Sequence, residues 1–189
     1  MKNSQMDDNE LIKSCLAGKR ELYRLLMDKY RGYAMAVAVN VLMNYDDAED
    51  VCQEAFLKAY QNLHKFDLQK NFKTWFYTVL YNLCLDDIRK RKHFHNLLKM
   101  FRAEQGKTRP PRSSSPALDP PLLESRWLGC LSAKERVSLY LWAQEGYSGE
   151  EIGSVLKCSP KTAHVHLWKA RKKIKALMKE NRNGSLSKN

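Results

Sequence analysis

The sequence predicts an all-α chain of two small helical domains joined by a flexible linker, and three observations carry that expectation. Apolar residues recur at three- and four-residue steps through residues 7–98 and again through residues 122–189, and nothing in either stretch points to strands. Between them, residues 106–121 hold five of the six prolines and three consecutive serines, a composition that cannot continue a helix. The length of 189 residues accommodates one domain or two, so this proline segment decides the division. The expected organisation is a helical domain over residues 1–98, a Pro/Ser-rich linker over 99–121 and a second helical domain over 122–189.

In chain order, residues 7–17 form a short helix closed by Gly18. Leu22, Leu25, Leu26, Met27, Tyr30, Tyr33, Ala34, Val37, Ala38, Val41 and Leu42 continue as a long, broadly apolar helix. Asp46 followed by Glu49 has the spacing of a capping box and predicts the start of the next helix. Ala48, Val51, Cys52, Ala55, Phe56, Ala59 and Leu63 make its inward stripe. The opposite face carries Asp46, Asp50, Gln53, Glu54, Leu57 and Gln61. A leucine ringed by charge suits a partner surface, and a solvated face with one stray leucine fits equally well.

Asn71 is the candidate cap of a following aromatic helix, whose stripe of Phe72, Phe76, Val79, Leu80 and Leu83 faces a core, with Trp75 at its edge. Lys73, Tyr77 and Tyr81 lie on the other side, ahead of the cationic tract Arg89, Lys90, Arg91 and Lys92. Rings beside cations suit single-stranded nucleic acid, because bases stack on the rings while the cations hold phosphates. The same two tyrosines also fit packing against a neighbouring helix.

In the second domain, Ser132 with Glu135 and Ser148 with Glu151 are two further capping boxes. A sharp turn through Lys157 and Cys158 leads to Ser159 as a cap and Pro160 at the first helical position, where its missing amide costs nothing. Two short helices around a tight turn, the second entering a basic stretch, make a helix-turn-helix. Ala163, Leu167, Ala170, Ile174 and Leu177 form the inward stripe of the last helix. Lys161, His164, Val165, Trp168, Lys169, Lys172 and Lys175 form its outward face, which suits a recognition helix reading base edges with cations behind it on the phosphates.

A formal net charge of +12 and a pI near 9.5, with the cations gathered in residues 64–102 and 123–189, suit a polyanionic partner. Nucleic acid is favoured over membrane, since no apolar run approaches the ~20 residues of a spanning helix. The N-terminus has no signal-like segment, and the five cysteines Cys15, Cys52, Cys84, Cys130 and Cys158 have no short paired spacing, so reduced thiols in the cytoplasm are expected. Neither Cys158, His164 and His166 nor Asp86, Asp87, His93 and His95 has an established zinc spacing, and no cofactor or metal is expected. The recognisable catalytic signatures are absent. An enzyme, such as a helical nuclease using Asp86 and Asp87, is a distant alternative.

The runs DAEDVCQEAFLKAY, FKTWFYTVLYN and LDDIRKRK resemble region 2 of the bacterial sigma factors, in particular the extracytoplasmic-function group. LSAKERVSLYLWAQEGYSGEEIGSVLKCSPKTAHVHLWKARKKI resembles their region 4. The resemblance implies a promoter-specificity subunit without catalytic activity of its own. It implies that Asp46, Asp50, Gln53, Glu54, Leu57 and Gln61 dock on core RNA polymerase. Lys65, Phe66, Asn71, Lys73, Tyr77, Tyr81, Asn82, Arg89, Lys90 and Arg91 are implied to open and read the minus-ten promoter element. Lys161, Thr162, His164, Val165, His166, Trp168, Lys169, Arg171 and Lys172 are implied to bind the minus-thirty-five element. An anti-sigma protein is the implied inhibitor. The recognition helix departs from the family pattern at His164 and His166, where a lysine and an arginine are usual, and at Lys161, where a small residue is common. Neutral imidazoles weaken phosphate attraction at pH 7 and make the contact pH-sensitive. The rival reading is a two-domain helix-turn-helix regulator that binds promoter DNA but not polymerase.

Overall fold

The computed structural model describes residues 6–104 and 128–186. Residues 106–121, expected to form the linker, lie outside the described residues. Among the described residues there are seven α-helices and no strand: α1 Asp8–Leu16, α2 Tyr23–Leu42, α3 Tyr45–Gln61, α4 Phe72–Glu104, α5 Ala133–Glu145, α6 Gly149–Leu156 and α7 Pro160–Leu186. Single 3-10 turns occupy Arg20–Leu22 and Leu63–Lys65.

α1 buries Leu11, Ile12 and Cys15, and Gly18, at φ +99°, turns the chain away from it. α2 ends on Met43 in the left-handed region, and the next residue, Asn44, is extended and caps α3 by accepting from the Asp47 amide at 3.1 Å. The capping box expected at Asp46 is therefore replaced by an Asn44 cap. Asp46 lies inside the first turn, where its negative charge complements the helix dipole. Asn71 caps α4 as expected, accepting from the Thr74 amide at 3.1 Å. α4 continues past Leu98 to Glu104, so the first residues assigned to the linker are helical.

The core of the first half is aromatic. Phe76 stacks on Phe56 at 4.7 Å between ring centroids and lies 6.1 Å from Phe72, which meets Tyr30 at 5.5 Å. The Tyr23 hydroxyl, drawn into this core, donates to the Phe56 carbonyl at 2.8 Å, which satisfies it where water is absent.

Both expected capping boxes of the second half are present, on α5 through Ser132 and Glu135 and on α6 through Ser148 and Glu151. Ser159 caps α7 by accepting from the Thr162 amide at 3.2 Å. The helix-turn-helix is closed by the Cys158 amide donating to the Gly153 carbonyl at 2.9 Å, with Lys157 left-handed. A Cβ on Gly153 would come within 2.8 Å of the Cys158 carbonyl oxygen, so the tight turn requires glycine there.

The two halves share one apolar core. α5 rests on α2 and α6 on α4, and Val137, Leu141, Tyr147, Ile152, Val155 and Leu156 join the cluster formed by the first half. Arg136 reaches across to the end of α2, donating to the Asn40 carbonyl at 2.6 Å and the Val41 carbonyl at 2.7 Å. It thereby supplies a cation and two donors to a helix C-terminus whose last carbonyls have no partners within the helix.

Because Gly153 faces backbone, Gly153→Ala is expected to destabilise the fold by about 1–3 kcal/mol, read by urea denaturation, with the loss centred on the helix-turn-helix. A second expectation concerns Glu135, which is 5% exposed. Burial pushes its pKa up, but donors from Lys173 Nζ at 2.7 Å and the Ser132 amide at 2.8 Å outweigh this and hold the carboxyl below its ordinary value of 4.5. The depressed folded pKa means that its contribution is present above 4.5 and is lost as pH falls through the folded value. Glu135→Gln is expected to lower stability at neutral pH and to converge on the parent chain in acid, measured by denaturation across a pH series.

Candidate polymerase and nucleic-acid interfaces

α3 presents its outer face as the spacing predicted. Asp46, Asp50, Gln53, Glu54, Leu57 and Gln61 are all exposed along one side of the helix, and Leu57, at 56%, is its apolar centre. Glu54 pairs with Lys58 one turn on, at 2.8 Å. Beside this face, α2 and α3 border an open groove of about 480 Å³ lined by Met27, Met35, Tyr45, Gln53, Leu57 and Tyr60. An exposed apolar centre beside a groove, ringed by carboxylates and amides, has the make-up of a protein-docking surface: dry in the middle and charged at the rim.

The second predicted surface is arranged differently. Lys65, Asn71, Arg89, Lys90 and Arg91 are exposed, with Arg89 paired to Asp86 at 2.6 Å and Arg91 paired to Asp87 at 2.6 Å and also to Asp47 of α3. Asn82 is half-buried and returns its amide to the Thr78 carbonyl at 2.6 Å. Phe66 is buried, 5.3 Å from the Trp75 ring and edge-on to Phe72 at 5.6 Å, so it serves the core rather than offering an open ring.

Tyr77 and Tyr81, which fitted either a partner's bases or packing against a neighbouring helix, are 0% and 1% exposed and take the second place. The second half covers them. Tyr77 donates from its hydroxyl to Glu145 at 3.1 Å and its ring lies 6.2 Å from Tyr147. Burial, with the Glu145 charge beside it, pushes the Tyr77 hydroxyl far above its ordinary pKa and keeps it a donor. Lys73, expected to be open, pairs with Glu145 and lies 4.3 Å above the Tyr33 ring. Thr74 donates to the Tyr147 hydroxyl at 3.3 Å.

On α7 the expected division of faces holds. Ala163, Leu167 and Ala170 are buried, whereas Lys161, Thr162, His164, Val165, Trp168, Lys169, Arg171 and Lys172 are exposed. Lys172 lies 4.9 Å over the Trp168 ring, and Arg171 lies 4.9 Å over Trp142 of α5. His164 sits over the start of α6, where a side chain on Gly149 would collide with its ring. His166 is partly buried, and its pKa is lowered by that burial and by Lys134 and Lys169, against an opposing effect of Glu135. It is therefore a neutral imidazole at pH 7.

The Sigma-70 region 2 family matches residues 26–94, which contain the α3 face and the covered tyrosines. Curated relatives extend the likeness over the second half: the chain is 26% identical to the ECF RNA polymerase sigma-E factor of Escherichia coli K12 across 91% of this chain and 94% of that one. The chain is thus similar to extracytoplasmic-function sigma factors along both halves. It is 37% identical to the ECF RNA polymerase sigma factor SigW of Bacillus subtilis over 81 residues, 43% of each chain. Two solved structures share the fold at 24% identity. The sigma factor RpoE in complex with the anti-sigma factor NepR from Bartonella quintana matches with a TM-score of 0.64 over 83% of this chain and 96% of that one. CnrH in complex with the cytosolic domain of CnrY matches with a TM-score of 0.65 over 92% and 97%.

The residues that sequence reasoning missed are Arg136, Glu145 and Tyr147, which meet α2 and α4 from the far end of the chain. One signal pointed to them: α4 carries large apolar side chains on both faces, and a helix apolar nearly all round is buried nearly all round. For His166, the expectation is an imidazole titration midpoint below 6.5 by NMR, moving up in Lys134→Ala as the repelling cation is removed.

Proposed function

We propose that this chain binds core RNA polymerase in the cytoplasm and directs it to promoters, using the α3 face for docking, α4 for the minus-ten element and α7 for the minus-thirty-five element. The observation that carries this reading is the exposed α3 face, with Leu57 beside the groove and Asp50, Gln53 and Glu54 around it, lying within the segment that matches the sigma-70 region 2 family. The chain contributes binding and orientation and leaves phosphodiester chemistry to the polymerase. In this role Lys65, Lys90 and the exposed cations of α7 hold phosphates, while Tyr77, Tyr81 and Asn82 receive unstacked bases once α4 is uncovered. Unstacking costs a few kcal/mol, which stacking at about 1–3 kcal/mol per base offsets.

An anti-sigma protein as inhibitor fits the same reading, because the RpoE and CnrH structures that share this fold are complexes with NepR and with the cytosolic domain of CnrY. Among the described residues no helix is long and apolar enough to cross a membrane.

The test is reconstitution with bacterial core RNA polymerase and a genomic promoter library. Start-site-specific transcripts should appear only when the chain is present. Glu54→Lys with Leu57→Asp should abolish polymerase binding in a pull-down while leaving helicity unchanged, since both side chains are exposed. Duplex DNA binding that survives in a chain unable to engage polymerase even before mutation would instead favour the polymerase-independent regulator.

A further inference from the structure

We propose that the far end of α4, which runs free of the bundle, is an amphipathic anchor that lays the chain on an anionic lipid surface. This goes beyond the promoter role and uses none of the α3 docking residues.

Ile88 is the last apolar side chain of α4 that packs against the core. From Arg89 to Leu97 every residue is exposed, and the helix continues through Phe101 to Glu104. The segment from Arg89 to Phe101 thus extends about 18 Å past the core. Its large apolar side chains are open: Phe94 is 63% exposed, Met100 64%, Phe101 60% and Leu97 38%. Phe94, Leu97, Leu98 and Phe101 have the i, i+3, i+4, i+7 spacing and fall within an arc of about 100°, with Lys92, His95 and Lys99 on the other side. A helix normally buries such a stripe, and among the described residues nothing covers this one.

The charge around the stripe selects its occupant. Residues 88–103 contain six lysines and arginines and no carboxylate. Arg89 and Arg91 are tied to Asp86, Asp87 and Asp47, whereas Lys90, Lys92 and Lys99 make no ion pair among the described residues. A second copy would bring these cations against their like, so the partner is anionic. Nucleic acid would use the two rings and the cations, but Leu97, Leu98 and Met100 offer bases no stacking surface. The stripe is about two turns long, so a protein held by it alone would bury less than the about 1,000 Å² that a stable interface needs.

An anionic bilayer meets both halves of the pattern without a complementary shape. The apolar side chains sink to the boundary between headgroups and acyl chains, and each nearby lysine or arginine adds to the attraction. The cations Arg89 to Lys92, which radiate all round the helix, suit a broad charged plane better than a one-sided groove. This is attachment to a surface and not a crossing, since among the described residues no helix is long and apolar enough to span.

The experiment is co-flotation of the full chain with vesicles of phosphatidylcholine, alone or mixed with an equal part of phosphatidylglycerol. Phe94→Ala, Phe101→Ala and a joint Lys92→Gln, Lys99→Gln variant are compared with the parent, and circular dichroism reads folding. None of these positions belongs to the proposed polymerase or promoter contacts. The expected result is salt-sensitive binding to the anionic vesicles only, about fivefold or more weaker in each phenylalanine variant and about tenfold or more weaker in the lysine variant. No binding to the anionic vesicles overturns the anchor. Binding that the phenylalanine variants retain in full overturns it too, as mere adsorption of a chain of net charge +12, and so does full retention in the lysine variant. A parent that is dimeric by light scattering, with monomeric phenylalanine variants, gives the stripe to a second copy instead. Oligothymidylate binding that those variants weaken, without vesicle binding, gives it to nucleic acid. If one phenylalanine variant loses helicity, the other decides.

Discussion

The rotational setting of α4 governs the rest of the molecule, and Phe76 fixes it. Its ring lies against Phe56 at 4.7 Å, Phe72 at 6.1 Å and Tyr30 at 6.3 Å, so α4 is locked to α2 and α3 at one angle. With that angle set, Tyr77 and Tyr81 emerge on the side away from the aromatic cluster, and α4 has a second face to cover. Aromatic side chains of this size bury 150–250 Å² each, so a face bearing two of them is a strong driver of association, whether with another helix or with unstacked bases. The same geometry thus sets up the face that the second half covers.

The contact between the halves continues the shared apolar core and adds polar pairs to it. Within the first half the contacts are ring on ring. Across the interface a carboxylate, an ammonium, a guanidinium and several tyrosine hydroxyls are paired among the apolar residues. Charged groups taken from water must be matched closely, so such a contact specifies one docking orientation while adding less net stability than equal apolar area.

The α3 surface is independent of that arrangement. It lies on the outer side of the bundle, and neither Leu57 nor its polar rim takes part in the polar contacts between the halves. With the second half packed on α4, the α3 face remains exposed. On the proposed reading, polymerase engagement and access to nucleic acid are therefore separate operations.

Much of this protein was legible in local sequence because the rules involved are local. Ser132, Ser148 and Ser159 declare their helix starts through side chains that reach the amides two or three residues on, and the stripe Ala163, Leu167, Ala170 follows directly from helical period. The exposed α3 face follows for the same reason. What failed was whatever depended on a partner distant in the chain or on competing local geometry. Asn44 took the cap assigned to Asp46 because the left-handed Met43 ended α2 one residue earlier. Phe66 went inward because Phe72 and Trp75 stood ready to receive it. Periodicity reported that Tyr77 and Tyr81 lay off the main stripe; it could not report that Glu145 and Tyr147 would arrive there, since the approach of residues some seventy positions away is decided by how α5 and α6 pack on α2 and α4. Local residue order is enough to set the helices and their faces. Which face meets which depends on the packed whole, because burial is a property of the assembled surfaces and not of any one helix.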